Sequence, residues 1–234
     1  TLLLTAANIA AAVSLFDKLT FDPLKDFVAV TLLAKTPSIL AVHPSLPVKS
    51  VAELIALAKA RPGQINYAGG KGSLLHLDVE YFKTVAKIDL VQVPYNGSGP
   101  SMIGVLSGEA SVVMAPTALV LPHAHSGRLR ALAITSSERM AKLSELPTVA
   151  ESGLPGFNTH QWYGILLPAG APAALVSRLN NELVAIMRSP EVTHRMLSDA
   201  SIAVGSTPAE FAAYFREEIA KWARVVKLSG ARAG

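Results

Sequence analysis

The sequence predicts an α/β protein of two lobes, each built on a mostly parallel sheet with helices on its faces. Three observations carry this. Short apolar extended segments alternate with segments of helical period through the middle of the chain, joined by short links. Half of the 234 residues are hydrophobic and only 16% are charged, a balance that buried parallel strands explain, because no uncharged apolar run reaches the ~18 residues of a membrane-spanning helix. Two long stretches interrupted by proline, residues 27–42 and 146–170, are placed to carry the chain from one lobe to the other and back. Residues 1–40 and 162–234 are therefore expected to form one lobe, and residues 41–161 the other.

Residues 2–4, three leucines flanked by threonines, read as a buried strand. A short helix over 8–15 follows, and Phe21-Asp22-Pro23 breaks the chain. Residues 27–42 are extended, with Val28, Val30 and Leu32 before Pro37 and Ile39 to Val42 after it. His43-Pro44 cannot continue a helix. Ser50-Val51-Ala52-Glu53 is a capping box, and Leu54, Ile55 and Ala58 supply the apolar face of the helix it opens. Strands are then expected at 64–67, 90–93, 110–114 and 129–135. Helices at 73–86, 100–106 and 117–125 separate them. Residues 146–170 lack a helical period and hold one strand, 162–167. Helices follow at 173–187 and 190–199, then a short strand at 200–204. Thr207-Pro208-Ala209-Glu210 starts the last helix with a cap, a proline at its first position and a glutamate in its first turn. Phe211, Phe215, Ile219, Trp222 and Val226 form its apolar stripe.

Composition excludes several function classes. Net charge is +4, but lysine and arginine are scattered and aromatic residues make up 6%, so the basic stripe with stacking aromatics of a nucleic-acid binder is missing. The absence of cysteine removes disulfides, thiolate metal sites and cysteine nucleophiles. No Met precedes Thr1, and no charged segment precedes Leu2-Leu3-Leu4, so this start is not a signal peptide. Residues before Thr1, with any targeting segment, are expected to be missing.

The sharpest local feature is Tyr67-Ala68-Gly69-Gly70-Lys71-Gly72-Ser73, which follows a strand and opens a helix. Such a turn aims main-chain N–H groups and the positive end of the helix dipole at whatever lies above it, and glycines permit close approach. An anion is the natural guest. It is not a Walker loop, since Gly72 follows Lys71, and the third glycine of the dinucleotide fingerprint is missing. A glycine turn with Ser73 as a simple N-cap explains the same residues equally well. A second such turn, Pro94-Tyr95-Asn96-Gly97-Ser98-Gly99-Pro100, and a third junction, Ala115-Pro116-Thr117, also lie between strand and helix. Open α/β sheets bind ligands beyond the carboxyl ends of their strands, so three such junctions favour one pocket. His123 and His125 face apart on a helix and are expected to be surface groups. His76 near Ser73 lacks a nucleophile elbow and an acid partner, so capping or packing suits it better. Trp162 and Tyr163 either wall a cleft or fill the core. Trp222 belongs to the core.

The chain resembles the Bug family of periplasmic solute-binding receptors, the extracytoplasmic component of tripartite tricarboxylate transporters. The likeness rests on Thr20-Phe21-Asp22-Pro23-Leu24-Lys25-Asp26-Phe27, Val42-His43-Pro44-Ser45, Gly72-Ser73-Leu74-Leu75-His76-Leu77, Val93-Pro94-Tyr95-Asn96-Gly97-Ser98, Arg128-Leu129-Arg130-Ala131-Leu132-Ala133, Leu146 to Phe157, and residues 164–168. It implies a type II periplasmic-binding fold with a ligand cleft between two lobes. It also implies that two strand-to-helix loops, one per lobe, clamp a carboxylate through amides, hydroxyls and waters. Gly70, Lys71, Gly72, Ser73 and Leu74 match the second-lobe loop. The first-lobe loop belongs to a strand and helix before Thr1. Tyr95, Asn96, Ala115, Thr117 and Trp162 complete the expected ligand-binding set. Where the family often carries an Asp suited to a ligand ammonium, this sequence has Ala115, so a carboxylate without an amine is expected.

The resemblance further implies a periplasmic monomer that closes on its ligand about a hinge and docks on integral membrane permease subunits. No cofactor, metal, nucleic acid or catalysis is expected. A ligand-sensing effector domain of a transcription regulator is the alternative on the same fold. An enzyme would need convergent acid, base or metal groups, which the sequence does not offer.

Overall fold

The structure, a computed structural model, describes residues 1–16, 18–70 and 72–231. In chain order its elements are β1 (Leu3–Ala6), α1 (Asn8–Leu15), β2 (Phe27–Val42), α2 (Val51–Ala60), β3 (Asn66–Gly69), α3 (Leu74–Ala86), β4 (Val91–Pro94) and α4 (Ser98–Leu106). There follow β5 (Val112–Pro116), α5 (Thr117–His125), β6 (Arg130–Ile134), β7 (His160–Pro168), α6 (Ala173–Met187), α7 (Pro190–Ser198), β8 (Ile202–Ala203) and α8 (Pro208–Ser229). The chain divides into two compact units. Unit 1 comprises Thr1–Thr36 and Gln161–Lys227, and unit 2 comprises Pro37–His160 with the chain from Leu228 onward. The structural divisions thus fall at 36/37 and 160/161, where the sequence suggested 40/41 and 161/162, and the C-terminal residues group with unit 2 instead of the first lobe. β2 runs unbroken through Pro37. That proline lies between the part of β2 that pairs with β8, through Ala34 and Lys35, and the part from Ser38 that pairs with β5, where its missing N–H costs no ladder bond.

In unit 1, β1 pairs antiparallel with β7 from Leu3↔Leu166 to Ala6↔Tyr163. β7 and β8 pair with β2. The apolar stripe of α8 covers this sheet: Trp162 of β7 is fully buried and meets Phe211 and Phe215 edge-on, ring centroids 5.7 Å from each. Gly164 makes room for this contact, since a Cβ there would lie 2.2 Å from the Phe211 Cζ. Within the same core Glu218 accepts hydrogen bonds from the indole N–H groups of Trp162 (3.0 Å) and Trp222 (3.1 Å) and pairs with Lys221. Three donors on one buried carboxylate replace the water it gave up.

In unit 2 the strand order is β6-β2-β5-β3-β4. β3 runs parallel to β4 and to β5, whereas β2 runs antiparallel to β5 and β6. The helices α3, α4 and α5 make the crossovers between the co-directional strands. Leu40, Leu54, Tyr67, Phe82, Met114 and Phe157 lie in the core beneath them. The expectation of mostly parallel sheets is therefore corrected to mixed ones. Strand–helix alternation forces a parallel pair only where a helix links spatial neighbours. β1 and β7, or β2 and β6, are far apart in sequence and have no such constraint. No helix among the described residues is long and apolar enough to cross a membrane.

Candidate functional site

Because β3, β4, β5 and β6 share one direction, their carboxyl ends emerge at one edge of the unit 2 sheet. The Gly-rich loop after β3 and the turn after β4 lie side by side there. Gly69 is in register with Pro94, the Tyr95 N–H donates to the Gly69 carbonyl at 3.4 Å, and the Gln92 side-chain amide donates to the same carbonyl at 3.0 Å. A Cβ on Gly70 would lie 3.1 Å from the Tyr95 carbonyl oxygen and 3.4 Å from the Gly97 nitrogen. The third junction, Pro116–Thr117, is in register with Ser38 of β2. Ser38 donates through its hydroxyl to Asp78 at 3.0 Å and through its N–H to the Thr135 hydroxyl at 2.9 Å. Thr135 in turn donates to the Thr159 carbonyl at 2.8 Å. Ser38, Asp78 and Thr135 are all buried. They form a polar floor that sequence reasoning missed.

The N–H groups of the loop can be followed one by one. Gly72 donates to the His76 Nδ1 at 3.1 Å, Ser73 donates to the Gly70 carbonyl at 2.9 Å, and His76 donates to the Ser73 Oγ at 3.4 Å. Leu74 and Leu75, in the first turn of α3, have no main-chain acceptor among the described residues, as the geometry of a helix start requires. Among the described residues the expected row of open amides thus loses Gly72 and Ser73 and keeps Gly70, Leu74 and Leu75. Gly72 adopts φ +71°, a left-handed conformation that only glycine takes without strain. Gly69 is held bare by contact, since a Cβ there would lie 3.1 Å from the His76 Cα.

Beneath the loop lies a buried ionic cluster. Glu80 accepts from the Tyr67 hydroxyl at 2.6 Å and from Lys83 at 2.7 Å, and its Oε1 lies 3.9 Å from the His76 Nε2. The His76 and Tyr67 rings stack at 6.3 Å. Burial, with Glu80 alongside, pushes the Tyr67 phenol far above its usual range, so it serves as a donor at every working pH.

Among the expected site residues, Gly70, Gly72, Ser73 and Leu74 gather at the head of α3. Lys71 lies outside the described residues. Asn96 is exposed beside them. Tyr95 contributes main chain, not its phenol. Its ring lies along α4 against Gly104, and burial, with Glu109 adding to it, pushes the hydroxyl up to about 12. Ala115 and Thr117 sit at the right junction but are fully buried. Trp162 is corrected. It belongs to unit 1, where its indole is enclosed by α8, so the reading of it as a cleft wall gives way to a core role. His123 meets Arg128 at 2.6 Å, and desolvation together with that charge holds its pKa below the usual value. Among the described residues, no group of three or more His, Asp or Glu side chains is placed to hold a metal ion.

The model of the "tripartite tricarboxylate transporter family receptor" matches residues 1–231. The protein BugT of Bordetella pertussis is 33% identical over 235 residues, covering 99% of this chain and 72% of that one. Rpa4515 of R. palustris, solved with adipate, is 33% identical with a TM-score of 0.88, covering 99% of this chain and 78% of that one. MatC (Rpa3494) of Rhodopseudomonas palustris, solved with malate, is 28% identical with a TM-score of 0.83, covering 97% and 79%.

Proposed function

This chain belongs to the tripartite tricarboxylate transporter receptor family, and from that premise we propose that it captures a small organic carboxylate outside the cytoplasm and delivers it to membrane permease subunits. It shares the mixed α/β periplasmic-binding fold of its relatives. The observation that carries the proposal is the head of α3. Leu74 and Leu75, whose main-chain N–H groups have no acceptor among the described residues, start the helix beside the Ser73 hydroxyl, on the edge where three strand-to-helix junctions meet. A carboxylate there would complete the first turn and meet the positive end of the helix dipole. Ser73 would add a hydroxyl hydrogen bond to it. The relatives that hold adipate and malate support the same ligand class. Ala115 offers no charge to a ligand ammonium, so an amine-free mono- or dicarboxylate fits best. The protein binds and releases this ligand unchanged.

Titration calorimetry against adipate, malate, short monocarboxylates, aspartate and glutamate tests this. Plain carboxylates are expected to bind and amino acids to bind weakly or not at all. Stronger binding of aspartate or glutamate would reject the amine-free ligand. Heat from none of the panel would reject carboxylate capture altogether.

A further inference from the structure

The side chain that reaches back to the α3 cap is an imidazole where a capping box normally carries a carboxylate or amide. Ser73 is the N-cap, and His76 stands three residues on. In a capping box the third residue after the cap accepts a main-chain N–H at the helix entrance. Here His76 accepts the N–H of Gly72 on its Nδ1 at 3.1 Å, while its own N–H is taken by the Ser73 hydroxyl at 3.4 Å. A main-chain N–H can only donate, so Nδ1 must carry its lone pair. A glutamate would keep its acceptor throughout the physiological range, but an imidazole loses it on protonation.

We propose that His76 is the positioning residue of the carboxylate loop, and that its protonation and ligand binding exclude one another. The inference rests on the ligand reading above and adds its control. A proton on Nδ1 faces the Gly72 N–H with a second donor. One of the two must move. Gly72 is already in the left-handed region and joins directly to Ser73, so its displacement carries the Ser73 hydroxyl and the first turn of α3 with it. Glu80, at 3.9 Å from Nε2, favours the imidazolium. Lys83, bonded to Glu80 and 5.5 Å from the Tyr67 ring centroid, opposes it. Tyr67 of β3 stacks on the ring, Asp78 of α3 is hydrogen-bonded to Ser38, and β5 presents no titratable side chain. The acceptor matters only in the neutral form, so affinity is highest above the titration of His76 and falls below it. Once there, Kd for a carboxylate rises up to roughly tenfold per pH unit.

The test uses the whole protein with two variants and two readouts. In His76→Asn the side-chain oxygen stands close to the place of Nδ1 and does not titrate. In His76→Leu no polar atom remains, and Gly72 loses its acceptor. Both variants lose the ring, so a merely structural role would weaken both alike. The expected result is that wild type loses adipate and malate affinity on acidification from pH 8 through the ordinary imidazole range, to about pH 5.5. His76→Asn should stay within about threefold of wild type at pH 8 and lose less affinity on acidification. His76→Leu should bind about tenfold more weakly at pH 8, the loss of one hydrogen bond. Equal losses in both variants, or the same pH profile in wild type and His76→Asn, would overturn the proposal. The second readout needs no ligand. The amide resonance of Gly72 should titrate with the His76 ring in wild type and not in His76→Asn. A Gly72 amide that ignores His76 protonation would overturn the loop lock directly. If neither carboxylate binds any form, the ligand reading fails, and this amide titration still decides whether His76 holds the loop.

Discussion

Ser73→Ala removes one hydroxyl to which the structure gives one task and the proposed function a second. The structural task is capping. Ser73 Oγ accepts the His76 N–H at 3.4 Å, a long bond. Loss of an N-cap costs about 0.5–2 kcal/mol of stability, and the length here points to the lower half, near 0.5–1 kcal/mol. The functional task is donation to the ligand carboxylate. Hydrogen bonds to charged groups contribute roughly 1.5–3 kcal/mol, so Kd should rise by about 10- to 150-fold. The two effects separate by assay, with urea denaturation for the first and calorimetry with adipate or malate for the second. Ser50→Ala is the internal control. Ser50 caps α2 by accepting the Glu53 N–H at 3.1 Å. It follows the carboxyl end of β2, which points away from the loop edge because β2 is antiparallel to its neighbours. That variant should lose comparable stability and no affinity. If Ser73→Ala lost stability with Kd unchanged, or if Ser50→Ala weakened binding as much, the hydroxyl would be a cap alone and the carboxylate seat would lie elsewhere.

Gly70→Ala tests how tightly the two glycine turns abut. Gly70 is not in the left-handed region, so the added methyl acts through its contacts with the Tyr95 carbonyl oxygen at 3.1 Å, the Ser73 Oγ at 3.3 Å and the Gly97 nitrogen at 3.4 Å. Overpacking of this kind costs about 1–3 kcal/mol. Urea denaturation should place the loss near the lower value, with a larger proportional loss of carboxylate affinity by calorimetry; unchanged values would mean that the turns have room to spare. Glu218→Ala leaves the Trp162 and Trp222 indole N–H groups and Lys221 without their shared acceptor. Breaking a buried ion pair from one side costs about 3–5 kcal/mol, so the unfolding midpoint in urea should fall sharply; a shift below about 1 kcal/mol would refute the account of the unit 1 core.

Much of the element order was legible in the sequence because local rules govern it. Helices α1, α5 and α6 have the predicted ends, and the Ser50, Ser73 and Thr207 starts follow from caps that act within four residues. The glycine turns after β3 and β4 were legible for the same reason, as was the likeness of the whole chain to one receptor family. What failed was long-range. Strand direction in unit 1 depends on pairs such as Leu3↔Leu166, and no local signal records a partner that distant. Trp162 reads alike in a cleft wall and in a core, and only the packing of α8 against it decides. Tyr95 lies beside the glycine turn in sequence, yet its hydroxyl goes to Gly104. The polar floor of Ser38, Asp78 and Thr135 joins residues from β2, from α3 and from the turn after β6. Hydrogen bonding between atoms close in the chain is written in short spacings. The burial of a side chain, the direction of a strand and the acceptor that a loop amide finds are settled only when distant segments compete for the same space.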